Sequence, residues 1–479
     1  MSGVSRIASA QSPFHVGAPA TTKPMAGAMG IVFISLALVM LLASQAQAAG
    51  STGLAILIIS VIVILFTFID VEFGIYCLVA GMLLSPEIEV PYFTLPSRAV
   101  VVRIDDIMII LVGIAWFAQV AVRGKIDLLV STPLNKPILW FLFLAGLSTA
   151  RGSFTGSVGH PVTAFFFVLK FIEFFTLYFL IVNTIANETQ VKRIMTVYFM
   201  TVLCVSLWAI WHTLITREHG RSTTPFETAE EPGTLGGYLL FSFALAFGLL
   251  NYVGNLFQRM MYLLIMMVII PPFLYTLSRA SYLAFFPMFL TVLYFSRRKA
   301  IPVMMLIAFA AASPWLPGVA IERVEYTFQN RVERTLYGTA PTLGEQLDPS
   351  SAARLERYDG VIRQWMHRPL LGQGMTGVGF VDSQFVRVLG EFGILGSLAF
   401  IWIFKNLFQT AIKLYRALDV GYMKGLVLGM LAGTVGLIFH GGTANTFTVV
   451  RIAGPFFVMT GLTIVISRIH QREIEALET

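Results

Sequence analysis

The chain has 479 residues, of which 56% are hydrophobic and only 12% charged, with a mean hydropathy of +0.77. Soluble chains carry roughly twice that share of charge, so a soluble fold around one core is excluded and an integral membrane protein is indicated. The net charge of +7 does not point to nucleic acid, because the lysines and arginines mostly flank apolar runs, where the positive-inside rule places them.

Residues 1–28 are rich in Ser, Ala, Gly and Pro and read as a disordered cytoplasmic tail. The next apolar segment ends in the Ala46-Gln47-Ala48 pattern that signal peptidase accepts, although the tail before it is long for a signal peptide. Apolar segments centre near residues 40, 60, 80, 113, 142, 174, 203, 244, 267, 288, 308, 397, 431 and 458. Their length suits helices crossing a hydrocarbon core of about 30 Å rather than barrel strands. The expected fold is therefore an all-α polytopic membrane protein of about fourteen transmembrane helices. Eleven occupy 29–316, a large outer loop fills 317–385, three more occupy 386–467, and 468–479 form a cytoplasmic tail.

Basic flanks at Arg123–Lys125, Val191–Arg193, Ser296–Lys299, Lys413–Arg416 and around Arg468 and Arg472 fall on one side when the helices are threaded in order. That side is cytoplasmic, with both termini on it. No internal repeat marks the chain as a secondary transporter. Cys77 and Cys204 lie inside apolar runs without metal-ligand spacing, so neither a disulfide framework nor a zinc site is expected. No cluster of acidic or histidine ligands is evident in the sequence, and neither a metal nor a cofactor is assigned.

Two stretches of the outer loop, "ERVEYTFQNRVERTLY" and "SSAARLERYDGVIRQWMHRPLLGQG", are patterned like amphipathic helices lying on a membrane surface. The basic residues here are all arginine: Arg323, Arg331, Arg334, Arg354, Arg357, Arg363, Arg368 and, just beyond, Arg387. Arginine's planar fork pairs bidentately with phosphate, which suits capture of a diphosphate. A solvated loop with surface pairs such as Arg331 and Glu333 is the competing reading. "LSRAS" puts Arg279 at the outer start of a helix beside small residues, where an arginine is costly enough to suggest function. Lys170 and Glu173 stand three apart on one face of the sixth segment, which predicts a mutual pair or a polar cavity. "PGTLGGYLL" reads as a turn entering a helix, its glycines allowing close backbone approach. Arg151, His160 and His440 fall at expected helix ends, where chance placement is common. Asp382 and Ser383 sit at N-cap positions before a segment carrying Arg387 and Glu391.

"DSQFVRVLGEFGILG" resembles the helix after the large periplasmic loop of the O-antigen ligase and polymerase superfamily. There a polar residue precedes Asn, Ser or Gln, nine variable residues and G-x-x-G; here Asp382 and Ser383 precede nine residues and Gly393 to Gly396. "SSAARLERYDGVIRQWMHRPLLGQG" is similar to that family's arginine, amphipathic helix and "hPllG-x-G" element, "LSRAS" to its "SRg" helix start, and "LKFIEFF" to its "lR-x-lE" helix with lysine for arginine. Ligases of this pattern carry histidine where this chain has Asp382, which favours the polymerase branch.

The resemblance implies a GT-C-like, metal-independent membrane glycosyltransferase of the bacterial inner membrane, working at the periplasmic face on oligosaccharide carried by undecaprenyl diphosphate. Donor and acceptor are then both lipid-linked, with a chain-length regulator and a flippase as further partners and no nucleic acid. Arg279, Arg354 and Arg387 are the expected diphosphate ligands. Asp382 is the expected base or acceptor-orienting group, with Glu391 as the fallback. A ligase of the same class, or a flippase for lipid-linked sugar, are the rival activities.

Overall fold

The computed structural model describes residues 66–89, 101–122, 130–216, 220–227, 231–296, 299–312 and 349–478. The expected spans near residues 40 and 60, the first amphipathic stretch of the loop, and Arg323, Arg331 and Arg334 lie outside the described residues.

From residue 80 onward, each of the twelve expected apolar segments falls on a helix. They are α1 (Val71–Leu84), α2 (Ile104–Val122), α3 (Asn135–Phe154), α4 (Pro161–Thr184), α5 (Glu188–Ile210), α6 (Pro232–Tyr252), α7 (Leu256–Tyr275), α8 (Arg279–Phe295) and α9 (Ala300–Ala312), then α11 (Gln384–Ala417), α12 (Tyr422–Gly441) and α13 (Val450–Glu478). The second amphipathic stretch forms α10 (Pro349–His367). A short antiparallel pair, β1 (Glu87–Glu89) and β2 (Val101–Arg103), sets Glu87 opposite Arg103.

Among the described residues, eight helices are long and apolar enough to cross a membrane: α3 to α7 and α11 to α13. The expectation of about fourteen spans is thus met only in part. α1 and α8 are apolar but have 14 and 17 residues, short of the about 20 that a straight crossing needs at 1.5 Å each. The architecture is that of a polytopic helical membrane protein, in which each segment satisfies its own backbone hydrogen bonds.

Local sequence explains the helix starts. Pro161 and Pro232 occupy the first turns of α4 and α6, where a missing N–H costs nothing. Asn187 and Gln190 form a reciprocal capping box on α5. The Ser278 side chain accepts the Ser281 N–H at the head of α8.

α6 lies at the centre, with 94% of its apolar window buried inside the protein. It packs on α12 with almost no space between backbones. A Cβ at Gly248 would stand 2.3 Å from the Gly429 nitrogen and 2.4 Å from the Gly425 carbonyl oxygen. Glycines at 425, 429 and 433, one turn apart, allow this approach, which in a membrane replaces the hydrophobic drive that water would supply. Phe141, Phe171, Phe175, Phe392 and Phe457 join α3, α4, α11 and α13 edge to face, and Phe400 adds a tilted contact with Phe141, which ties the helix carrying the candidate site to the rest of the bundle.

Candidate functional site

α11 is broken near its start. Gly393 has φ 67° and ψ −166° inside what is otherwise one helix, a conformation essentially reserved for glycine. The break frees carbonyls before it and N–H groups after it, and the segment 369–374 satisfies both. Gln373 and Gly374 N–H groups donate to the carbonyls of Gly390 (2.9 Å) and Glu391 (2.8 Å). Ile394 and Leu395 N–H groups donate back to Pro369 (2.9 Å) and Leu370 (3.2 Å). The Ser148 hydroxyl of α3 lies against the Glu391 carbonyl at 2.7 Å, and the Thr149 hydroxyl accepts the Met375 N–H. A loop that follows α10 is thereby fixed onto α11 and α3 as firmly as secondary structure.

Glu391 serves this same anchoring. It is 1% exposed, and its Oε1 accepts from Arg387 Nε at 3.2 Å and from the Thr376 N–H at 2.9 Å. Arg387 is 6% exposed. Arg387, expected as a diphosphate ligand, and Glu391, expected as the fallback base, form a buried pair one helical turn apart.

Asp382 was expected at a helix cap. The N-cap residue is Ser383, and it makes no side-chain cap hydrogen bond. The Asp382 carboxylate turns to α10, where Oδ2 pairs with Arg354 Nε at 3.2 Å and Arg357 Nη1 at 3.6 Å. Two guanidiniums outcompete a backbone N–H for one carboxylate because the bonds are charge-assisted. The face of α10 that carries Arg354, Arg357, Tyr358 and Val361 follows helical spacing, and Tyr358 and Val361 pack on Val378, Val381 and Val386. Burial pushes the Tyr358 phenol above its usual value, an effect opposed by the nearby Arg354.

The arginines of this region therefore sort by partner. Arg363 pairs with Asp359 on the surface, and Arg368 donates to the Thr155 and Ser157 hydroxyls beyond α3. Arg354 and Arg357 are 35% and 51% exposed while sharing one carboxylate that is 21% exposed. Two positive charges against one negative leave a net positive, half-open group, the arrangement that an oxyanion can enter. Arg357 was visible as one of the loop arginines but not singled out; its three-residue spacing from Arg354 was the available signal.

Arg279 is half-buried at the first residue of α8. Its neighbour Ser281 meets α6 at Gly236, where a Cβ would stand 2.2 Å from the Ser281 hydroxyl. The close approach that the glycines of "PGTLGG" allow is realised against the small residues of "LSRAS".

Lys170 and Glu173 pair at 3.0 Å, as their spacing predicts, and Lys170 also donates to Asp106 of α2. Nearby, Arg103 pairs with Asp105 at 3.0 Å, and Arg451 of α13, 1% exposed, reaches Glu87 at 3.2 Å and the carbonyls of Pro225 and Phe226. Asp105, Asp106, Arg103 and Arg451 escaped the sequence reading, because only the fold brings 103–106 beside residue 170.

Broken helix, docked loop and half-open arginine pair belong to a multi-pass membrane protein that carries a net positive group at one end of its bundle. Residues 272–401 match the protein-family model described as O-antigen ligase, a stretch that holds α8, α10 and the broken start of α11. The match supports kinship with the O-antigen ligase and polymerase superfamily and a glycosyltransferase-like activity on glycans. No curated protein matches the chain.

Proposed function

We propose that the protein polymerises undecaprenyl-diphosphate-linked oligosaccharide repeats at the periplasmic face of the bacterial inner membrane, as a metal-independent, GT-C-like glycosyltransferase. The observation that supports this most is the pair Arg354 and Arg357 held on Asp382 with net positive charge and open to solvent, within the stretch that matches the family model.

In a single displacement, a hydroxyl of the acceptor glycan attacks the anomeric carbon of the donor. The bond from that carbon to the phosphate oxygen breaks, and the diphosphate leaves with the bonding electrons. Arg354, Arg357 and Arg279 are the groups proposed to neutralise the leaving charge, which grows in the transition state and is best met by preorganised donors. Both arginine contacts use Asp382 Oδ2. Oδ1 is then the oxygen offered to the acceptor hydroxyl, taking its proton as base or, where it only orients the hydroxyl, leaving that proton to the departing diphosphate. Arg387 and Glu391 hold the loop in register and touch neither substrate in this reading.

A ligase that moves glycan onto lipid A core or another acceptor is the second reading, favoured by the description of the matching family. Aspartate rather than histidine at 382 speaks for the polymerase. The test is deletion of the gene with analysis of the polymer on gels. Collapse of the ladder to single repeats marks the polymerase, long polymer that fails to attach marks the ligase, and absence of any periplasmic repeat marks a flippase and defeats both.

A further inference from the structure

The polar group between α2 and α4 holds more negative charge than its cations neutralise. Arg103 Nε takes Asp105 Oδ1, while Lys170 Nζ takes Asp106 Oδ2 and Glu173 Oε2. Each carboxylate thus has one oxygen on a side-chain cation. The other oxygen of each, Asp105 Oδ2, Asp106 Oδ1 and Glu173 Oε1, is buried without a hydrogen-bond partner. Asp105 is itself 1% exposed, so water cannot solvate its second oxygen from outside. One oxygen from each residue lies within 4.8 Å of the other two, close enough for a shared ion at about 2.4 Å.

Charge selects the kind of ion. Three carboxylates against Arg103 and Lys170 leave a formal charge of −1, and an uncompensated charge in a buried site is costly. A monovalent cation brings the group to neutrality. A divalent one would leave an excess positive charge on the group, beside Arg103 and Lys170. Carboxylate oxygens as the only donors suit a hard ion rather than a soft one. Lys170, Asp106 and Glu173 are 21%, 14% and 12% exposed, which leaves a route for the ion and for water to complete its shell.

We propose that Asp105, Asp106 and Glu173 form a site for one Na+-sized monovalent cation, which fastens the start of α2, and with it the β1–β2 pair, to the middle of α4. The site is separate from the arginine pair on α10 and stands whether the enzyme is a polymerase, a ligase or neither.

The test uses the full-length protein purified in detergent. Binding of radioactive sodium is measured by equilibrium dialysis in N-methylglucamine buffer at about pH 7 and about pH 9, the higher pH removing a proton shared between carboxylates. Thermal unfolding is followed in NaCl and in N-methylglucamine chloride at equal ionic strength, and in MgCl2 and CaCl2. The expected result is saturable sodium binding, one ion per chain, with an unfolding midpoint raised by about 2 °C or more. Glu173→Gln keeps the shape and the oxygen facing Lys170 but removes the residual charge, so sodium affinity should fall at least tenfold. Asp106→Asn serves as the second variant, and a monodisperse gel-filtration peak establishes that each variant is folded. Absence of sodium binding at both pH values, a midpoint that ignores sodium, a preference for the divalent ions, or equal binding by folded Glu173→Gln and Asp106→Asn would each overturn the proposal. A cluster neutralised by a proton alone gives the first of these outcomes.

Discussion

Arg354 and Arg357 meet one oxygen of Asp382 while staying half-open, so their value lies in the shape of the donor and not in charge alone. Arg354→Lys and Arg279→Lys are each expected to lower polymer yield sharply at unchanged membrane level, because an ammonium keeps the charge and loses the fork. Full activity in both would reduce these residues to anchors at the interface. Asp382 separates chemistry from capping. Since its side chain turns to α10 and the N-cap is Ser383, neither Asp382→Asn nor Asp382→Ala should show the cost of about 1 kcal/mol that follows loss of a cap. Both should cut transfer by about 10² to 10⁴ if Asp382 takes the acceptor proton. Near-normal turnover by the Asn variant on a lipid-diphosphate substrate would remove Asp382 from the chemistry. Glu391 behaves in the opposite way. Glu391→Gln leaves Arg387 charged and buried, so unfolding in denaturant should show a loss of about 3–5 kcal/mol.

At the scale of elements, the break in α11 and the contact of α6 with α12 rest on glycine for different reasons. Gly393 needs its backbone conformation, and a Cβ there would also stand 2.4 Å from the Leu370 carbonyl oxygen. Gly393→Ala should therefore undock the loop that carries 369–374, with strain of about 1–3 kcal/mol before the clash is counted. Protease sensitivity around Arg368 to Gly379 is the direct readout, and an unchanged digestion pattern would mean that the loop is held elsewhere. Gly429 is helical, and what it needs is space: its Cβ would meet the Leu245 Cα at 2.6 Å. Gly429→Val should separate α6 from α12 and lower the yield of folded protein, while the same change at Gly421, which has nothing nearby, serves as the control.

For the whole molecule, the arrangement of basic flanks predicts which side of the membrane each end occupies. Tags inserted within 317–381 should react with an impermeant reagent from the periplasm, and tags after Arg468 should not. A cytoplasmic position for that loop would defeat the proposed reaction, since lipid-linked repeats are joined on the opposite side. The described helices carry the candidate site at one end of the bundle, where the starts of α6, α8 and α11 meet the end of α12: Gly236 contacts Ser281, Gly237 contacts His440, and Gly441 contacts Gln384. The antiparallel threading read from hydropathy agrees with this gathering.

Hydropathy and spacing determined that the chain crosses a membrane, where its helices fall from residue 80 onward, and that Lys170 and Glu173 share one helix face. These are local properties, set by the burial of a run of side chains or by one turn of helix, and they need no knowledge of neighbours. Tertiary structure alone decided the partners. Asp382 could cap its own helix or reach α10, Arg387 and Glu391 could face substrate or each other, and Asp106 could sit far from Lys170 or beside it. A charged group in a low-dielectric interior takes the nearest opposite charge that the packing delivers. Packing brings together residues as far as 364 positions apart in the pair Arg451 and Glu87, and a linear pattern holds no record of that distance. The run "GLVLGMLAGTVG" on α12 did carry a readable sign of close helix contact. Which helix would fill the groove was settled by packing, with Gly248 of α6 at the closest approach.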